Sequence, residues 1–79
     1  MSPIEAQIRA AVGALAWNVR EWRTFRGATI NRIAEVAELH PRTIQKIEAG
    51  EENVSLTTIV RVAFALKIDM RDLFAPLRK

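Results

Sequence analysis

An all-α domain of five helices is the fold class that this 79-residue sequence predicts. Three observations predict it. Apolar residues recur at three- and four-residue spacing along most of the chain, and no segment alternates with the period of two that a strand requires. A capping residue (Ser2, Thr29, His40, Ser55 or Asp69) stands before each periodic segment.

The first helix is expected over about residues 3 to 26. In "SPIE", Ser2 caps, Pro3 suits the first helical position, and Glu5 completes a capping box. Ile4, Ile8, Ala11, Val12, Leu15, Val19 and Trp22 then form one continuous stripe, and Gly27 marks the stop. Gly13 weakens the middle by about 1 kcal/mol relative to alanine and is a candidate kink. On the opposite side lie Ala6, Ala10, Gly13 and Trp17.

Thr29 caps the second helix, which carries Ile30, Ile33, Ala34 and Ala37 on one face. A short turn at Glu38 and Leu39 leads to the third helix, with His40 as N-cap, Pro41 at its first position and Gly50 at its end. "EENV" reads as a loop. Ser55 caps the fourth helix, with Leu56, Ile59, Val60, Ala63 and Leu66 expected inward and Val62 and Phe64 off the core face. Asp69 caps a fifth, short helix holding Met70, Leu73 and Phe74, and "APLRK" reads as a tail. The whole of 1–79 is expected to form one domain, its first helix extended over about 3–14.

Composition narrows the function. With no cysteine and one histidine, disulfides, thiolate metal sites and most catalytic or zinc arrangements are excluded. No metal, cofactor or catalytic residue is expected, since no nucleophile–base pair, metal cluster or phosphate loop is present. No apolar run reaches the length of a membrane span, and the start lacks the pattern of a secretory signal, so a cytoplasmic protein without a membrane partner is expected. The net charge is +3, and its placement says more than its size. Between Arg20 and Lys46 stand six basic residues against three acidic ones, while the remainder of the chain holds six of each. That local excess suits either a polyanion partner or an ordinary solvated helix surface.

The stretch "LHPRTIQKIEAG" (39–50) is where this excess meets structure. Ile44 and Ile47 are its apolar anchors, while Pro41, Arg42, Gln45, Lys46 and Ala49 face elsewhere. So short a helix is marginal alone and has to be held by its neighbours.

Helices two and three, joined by a tight turn, have the layout of a helix-turn-helix over about 29–49. The sequence resembles the Cro/lambda-repressor-like (XRE-type) helix-turn-helix family from about Leu15 to Phe74. The resemblance rests on "VREWR" (19–23), "TINRIAEVAEL" (29–39), "TIQKIEAG" (43–50) and "SLTTIVRVAFALKIDMRDLF" (55–74). The passage "GEENVSLTTI" looks most like the small controller proteins of restriction–modification systems. The resemblance implies a five-helix, lambda-repressor-like domain that binds double-stranded DNA as a homodimer on a palindromic operator.

By that resemblance helix three enters the major groove with Pro41, Arg42, Gln45 and Lys46. Arg42 would pair with guanine and Gln45 with adenine, while Lys46 could serve base or phosphate. The matching phosphate contacts are Thr29, Asn31, His40, Thr43 and Asn53. Arg23 and Glu48 match a structural ion pair between helices one and three. The expected dimer face comprises Val62, Phe64, Met70, Phe74 and Leu77, with Trp17 either in a second contact or lying over its own domain. Three positions depart from the family pattern: Ile30 where a glutamine is usual, Glu38 where a turn glycine is usual, and Glu51 with Glu52 beside the expected backbone contact. The alternative from another class is an antitoxin-like or adaptor module that uses the same fold to bind a second protein.

Overall fold

The computed structural model describes residues 1–51 and 53–76, so the expectations at Glu52 and Leu77 lie outside the described residues. Among the described residues four α-helices follow one another: α1 (Pro3–Phe25), α2 (Ile30–Ala37), α3 (Pro41–Glu48) and α4 (Leu56–Leu66). The expected fifth α-helix is instead a 3-10 helix, Met70–Phe74. Like other helices of this tighter winding it is short, and Asp69 and Asp72 close its start with a reciprocal capping box. No strand occurs among the described residues.

Each helix start uses the residue that the sequence offers. Ser2 accepts from the Glu5 amide, Thr29 from Arg32, His40 from Arg42 and Ser55 from Thr58. The ends differ more. Gly27 (φ 65°) and Gly50 (φ 77°) take the left-handed conformation that glycine adopts without a Cβ clash. Glu38 (φ 58°) and Lys67 (φ 61°) take it without being glycine. Gly13 leaves α1 unbroken.

The core gathers Leu15 and Val19 of α1, Ile33 and Ala34 of α2, Ile44 and Ile47 of α3, Ile59, Val62, Ala63 and Leu66 of α4, and Leu73 of the 3-10 helix. Full burial of an aliphatic side chain contributes about 1.5–3 kcal/mol, so these residues are what hold the short α2 and α3 in place. Asn18 is buried among them. Its side-chain amide donates to the carbonyl oxygens of Leu73 and Ala75, both at 3.0 Å, and thereby staples the 3-10 helix to α1.

Three expectations about facing are corrected. Val62 is 1% exposed and belongs to the core, whereas Leu56 and Val60 point outward. The inward arc of α4 runs through 59, 62, 63 and 66, one position round from the expected arc, because α2 and the 3-10 helix both pack on that side. The α1 stripe is core only from Leu15 onward. Its first half projects past the other helices, leaving Ile4 72% and Ile8 43% exposed. A 23-residue helix is about 34 Å long at 1.5 Å per residue, nearly the molecule's 37 Å long dimension.

Candidate nucleic-acid interface

The recognition-helix candidate is anchored from below. Ile44 and Ile47 lie in the core, and Glu48 is buried beside them. A buried carboxylate needs a compensating cation. Arg23 of α1 supplies it with a two-pronged contact, Nε to Oε2 at 2.7 Å and Nη2 to Oε1 at 3.0 Å. Its remaining Nη1 donates to the Ala28 carbonyl oxygen at 3.1 Å, so one guanidinium ties α1, α3 and the approach to α2 together. These hydrogen bonds to Glu48 raise the Arg23 pKa above its ordinary high value. Arg20, at 3.6 Å from Glu48, lies beyond hydrogen-bond reach and adds only longer-range attraction.

With its underside fixed, α3 turns Arg42, Gln45, Lys46 and Ala49 to solvent at helical spacing, and Pro41 and Thr43 are half-buried at its start. Among the described residues the side chains of Arg42 and Lys46 have no ion-pair partner. His40 caps through Nδ1, which accepts from the Arg42 amide at 3.0 Å. That nitrogen is therefore unprotonated and the ring proton sits on Nε2, which is left to donate outward. Thr29 accepts from the Arg32 amide at 3.0 Å and keeps its own hydroxyl proton for another acceptor. Asn31 is exposed in the first turn of α2.

A shallow cleft of about 160 Å³ joins Thr43 and Lys46 of α3 with Asn53 and Ser55 of the following loop, and Glu51 stands on the same rim. Asn53 is left-handed (φ 68°), a conformation that asparagine tolerates better than most residues.

The expected dimer residues do not form one patch. Phe64 is 72% exposed and borders a cleft with Arg26, Arg32 and Val36. Phe74 lines a different groove with Ile8 and Val12, and Trp17 lies over a third depression with Trp22, Asp72 and Ala75. Met70 packs on the core as a half-buried residue. Val62 drops out, being buried.

Two residues escaped the reading of the sequence because their partners lie far along the chain. Arg26 caps the C-terminus of α4, donating from Nε to the Leu66 carbonyl oxygen at 2.8 Å and from Nη2 to that of Lys67 at 3.2 Å. Its guanidinium also stacks over the Trp22 and Phe25 rings at 5.3 and 5.6 Å. Arg61 reaches back to the turn after α2. Only the non-glycine at position 38 hints that this turn requires outside support.

Comparison with known proteins accords with this layout. A family model described as a helix-turn-helix domain matches residues 14–77. Control protein C.SmaI of Serratia marcescens is 38% identical over 52 residues, which are 66% of this chain and 62% of that protein, so the match spans less than two thirds of the relative. The restriction-modification controller protein C.AhdI from Aeromonas hydrophila superposes with a TM-score of 0.76 at 33% identity, covering 80% of this chain and 96% of that one. The hypothetical transcription factor NHTF from Neisseria gives 0.79 at 26% identity, over 84% and 76% of the two chains. The clp gene regulator ClgR from C. glutamicum gives 0.73 at 27%, over 80% and 82%.

Proposed function

The chain belongs to the helix-turn-helix domain family, of the Cro/lambda-repressor-like (XRE) type, and on that premise we propose that it is a sequence-specific DNA-binding transcriptional regulator. One observation carries the reading. The outer side of α3 holds Arg42, Gln45 and Lys46 without ion pairs among the described residues, on a helix whose inner side is immobilised by Ile44, Ile47 and the Arg23–Glu48 pair. Such an arrangement presents forked and amide donors to base edges from a fixed platform. Around it, the Thr29 hydroxyl, Asn31, His40 Nε2, Thr43 and Asn53 supply neutral donors for phosphate oxygens. Similarity to the control protein C.SmaI and to the restriction-modification controller protein C.AhdI favours a controlling role in gene expression of the restriction–modification kind.

One reading helix spans too few base pairs for useful discrimination, so the regulator acts as a homodimer on a palindromic site, its half-sites about 34 Å apart. The exposed edge of α4 fits this contact best. Leu56, Val60 and Phe64 recur there at four-residue spacing, all exposed, in place of the face of Val62, Phe64, Met70, Phe74 and Leu77 expected from sequence.

Selection of bound duplexes from a random pool tests the reading. A palindromic motif recovered by the wild type and lost with Arg42→Ala is the expected result. Recovery of no motif at all overturns it and favours the adaptor alternative.

A further inference from the structure

The first turns of α1 stand outside the stretch that the family model matches. The family match begins at residue 14, and no residue from 1 to 11 is buried. The segment is nonetheless built as a helix with a finished end, through the Ser2–Glu5 capping box and Pro3. Along it run Ile4 and Ile8, exposed, in line with Ala11 and Val12. Two adjoining depressions, of about 380 and 310 Å³, both use Ile8 and Ala11 as walls. They make one apolar trough that starts at Ile4 and runs into the body of the domain at Val54 and Phe74.

Charge identifies the occupant. From residue 1 to 16 the only charged side chains are Glu5 and Arg9, one helical turn apart on the same flank of the stripe. A nearly neutral surface does not fit nucleic acid or an acidic lipid. Two helices that pack antiparallel about a two-fold axis set like flanks against each other. Each Glu5 then falls beside the Arg9 of the second copy. Parallel packing would set Glu5 against the opposite flank, where Gln7 stands. We propose that the trough is occupied by a second copy of this chain. The two α1 segments pair antiparallel, with the axis between Gln7 and Ile8 and Ile4 of one copy over Ala11 and Val12 of the other. A contact of a few helical turns is small beside the usual 1,200–2,000 Å² (roughly) of a stable complex. It is therefore reversible, and it joins dimers already formed through α4 into a larger assembly. The proposal does not depend on that α4 contact.

Cross-linking and sedimentation of the full chain test it. The protein has no cysteine, so an introduced one reports position without background. Gln7→Cys, beside the axis, is expected to give a disulfide-linked dimer under mild oxidation. Ile4→Cys is not, because its two copies lie about 10 Å apart along the helices at 1.5 Å per residue. In sedimentation at tens of micromolar, wild type is expected as a tetramer, Phe64→Glu as a dimer, and Phe64→Glu with Ile8→Asp as a monomer. If the α4 contact fails instead, wild type is a dimer, Phe64→Glu leaves it so, and Ile8→Asp alone halves its mass. Faster cross-linking at Ile4 than at Gln7 overturns the proposal, as does a mass that Ile8→Asp leaves unchanged. Binding to phosphatidylcholine vesicles that Ile8→Asp abolishes, without a Gln7 cross-link, assigns the trough to a lipid surface and likewise overturns it. The Gln7 readout keeps the apolar stripe intact, so it stands even where Ile8→Asp loosens the helix.

Discussion

Arg61 of α4 holds Glu38 across the back of the helix-turn-helix: its Nη1 donates to Glu38 Oε1 and to the neighbouring Ala37 carbonyl oxygen, each at 3.2 Å. Glu38 sits at φ 58°, ψ 46°, where a side chain costs about 1–2 kcal/mol that glycine avoids. Its ion pair is largely exposed and so contributes at most about 1 kcal/mol. Glu38→Gly is therefore expected to stabilise the fold by about 0.5–1 kcal/mol and Arg61→Ala to destabilise it by about 1 kcal/mol. Thermal melting checks both signs. A lower midpoint for Glu38→Gly means that the brace outweighs the strain.

Removing Arg23 leaves the buried Glu48 without its hydrogen-bonded partner and with only the exposed Arg20, 3.6 Å away. Arg23→Ala is expected to cost about 3 kcal/mol, near the lower end for a broken buried pair. Replacing both partners with methionine should recover most of that loss. Urea unfolding of the three variants decides whether the pair or its volume matters.

Asn18→Leu should cost about 1–3 kcal/mol for a similar reason, because it strips the Leu73 and Ala75 carbonyl oxygens of their donor. Amide exchange is the sharper reading: protection should fall in Met70–Phe74 and persist in α2 and α3.

At the recognition face, Arg42→Ala is expected to weaken specific binding by about 1–3 kcal/mol and relax preference at one base position. Thr29→Ala should lower affinity for specific and random duplexes by similar factors. A competition assay with both kinds of DNA separates the two outcomes.

Acid should loosen the helix ends first. Glu5 is held below its ordinary pKa by its hydrogen bond from the Ser2 amide, and Asp69 by its hydrogen bonds from Arg71. The folded state therefore releases these protons more readily than the unfolded one. The stabilisation is complete above the ordinary carboxyl range and is lost as pH falls through the lowered values. Helicity followed by circular dichroism from pH 6 to pH 2 should show early fraying that Glu5→Gln makes pH-independent for α1.

What the sequence revealed and what it hid divide along physical lines. Caps and helix starts were legible because Ser2, Thr29, His40 and Ser55 act on amides two or three residues away. The solvent side of α3 was legible because Ile44 and Ile47 leave it only one way to face. Periodicity alone could not choose between Val60 and Val62 on α4, which is apolar around most of its circumference, and packing by α2 and the 3-10 helix made the choice. Nor could it show that a regular stripe on α1 outruns the body it would cover. The partners of Asn18, Arg26 and Arg61 lie 55, 40 and 24 residues away, a separation at which local pattern carries no signal.

The arginine placement has a consequence for how such a regulator moves through a genome. Arg23 and Arg26 are bonded to groups inside the fold, Arg32 is bonded to Glu35 and Arg20 of α1 stands 3.6 Å from Glu48, while Arg42 and Lys46 are the cations that α3 itself offers outward. Each phosphate neutralised releases counterions and contributes about 0.9 to the logarithmic salt slope, and this sequence-blind term is what detains a protein on wrong sites. With few cations on α3 to contribute to it, the proposed regulator is expected to let go of random duplex quickly. On the proposed function its search would proceed by frequent release and recapture rather than long sliding, and its dwell time on a site would depend on how well Arg42 and Gln45 match the bases.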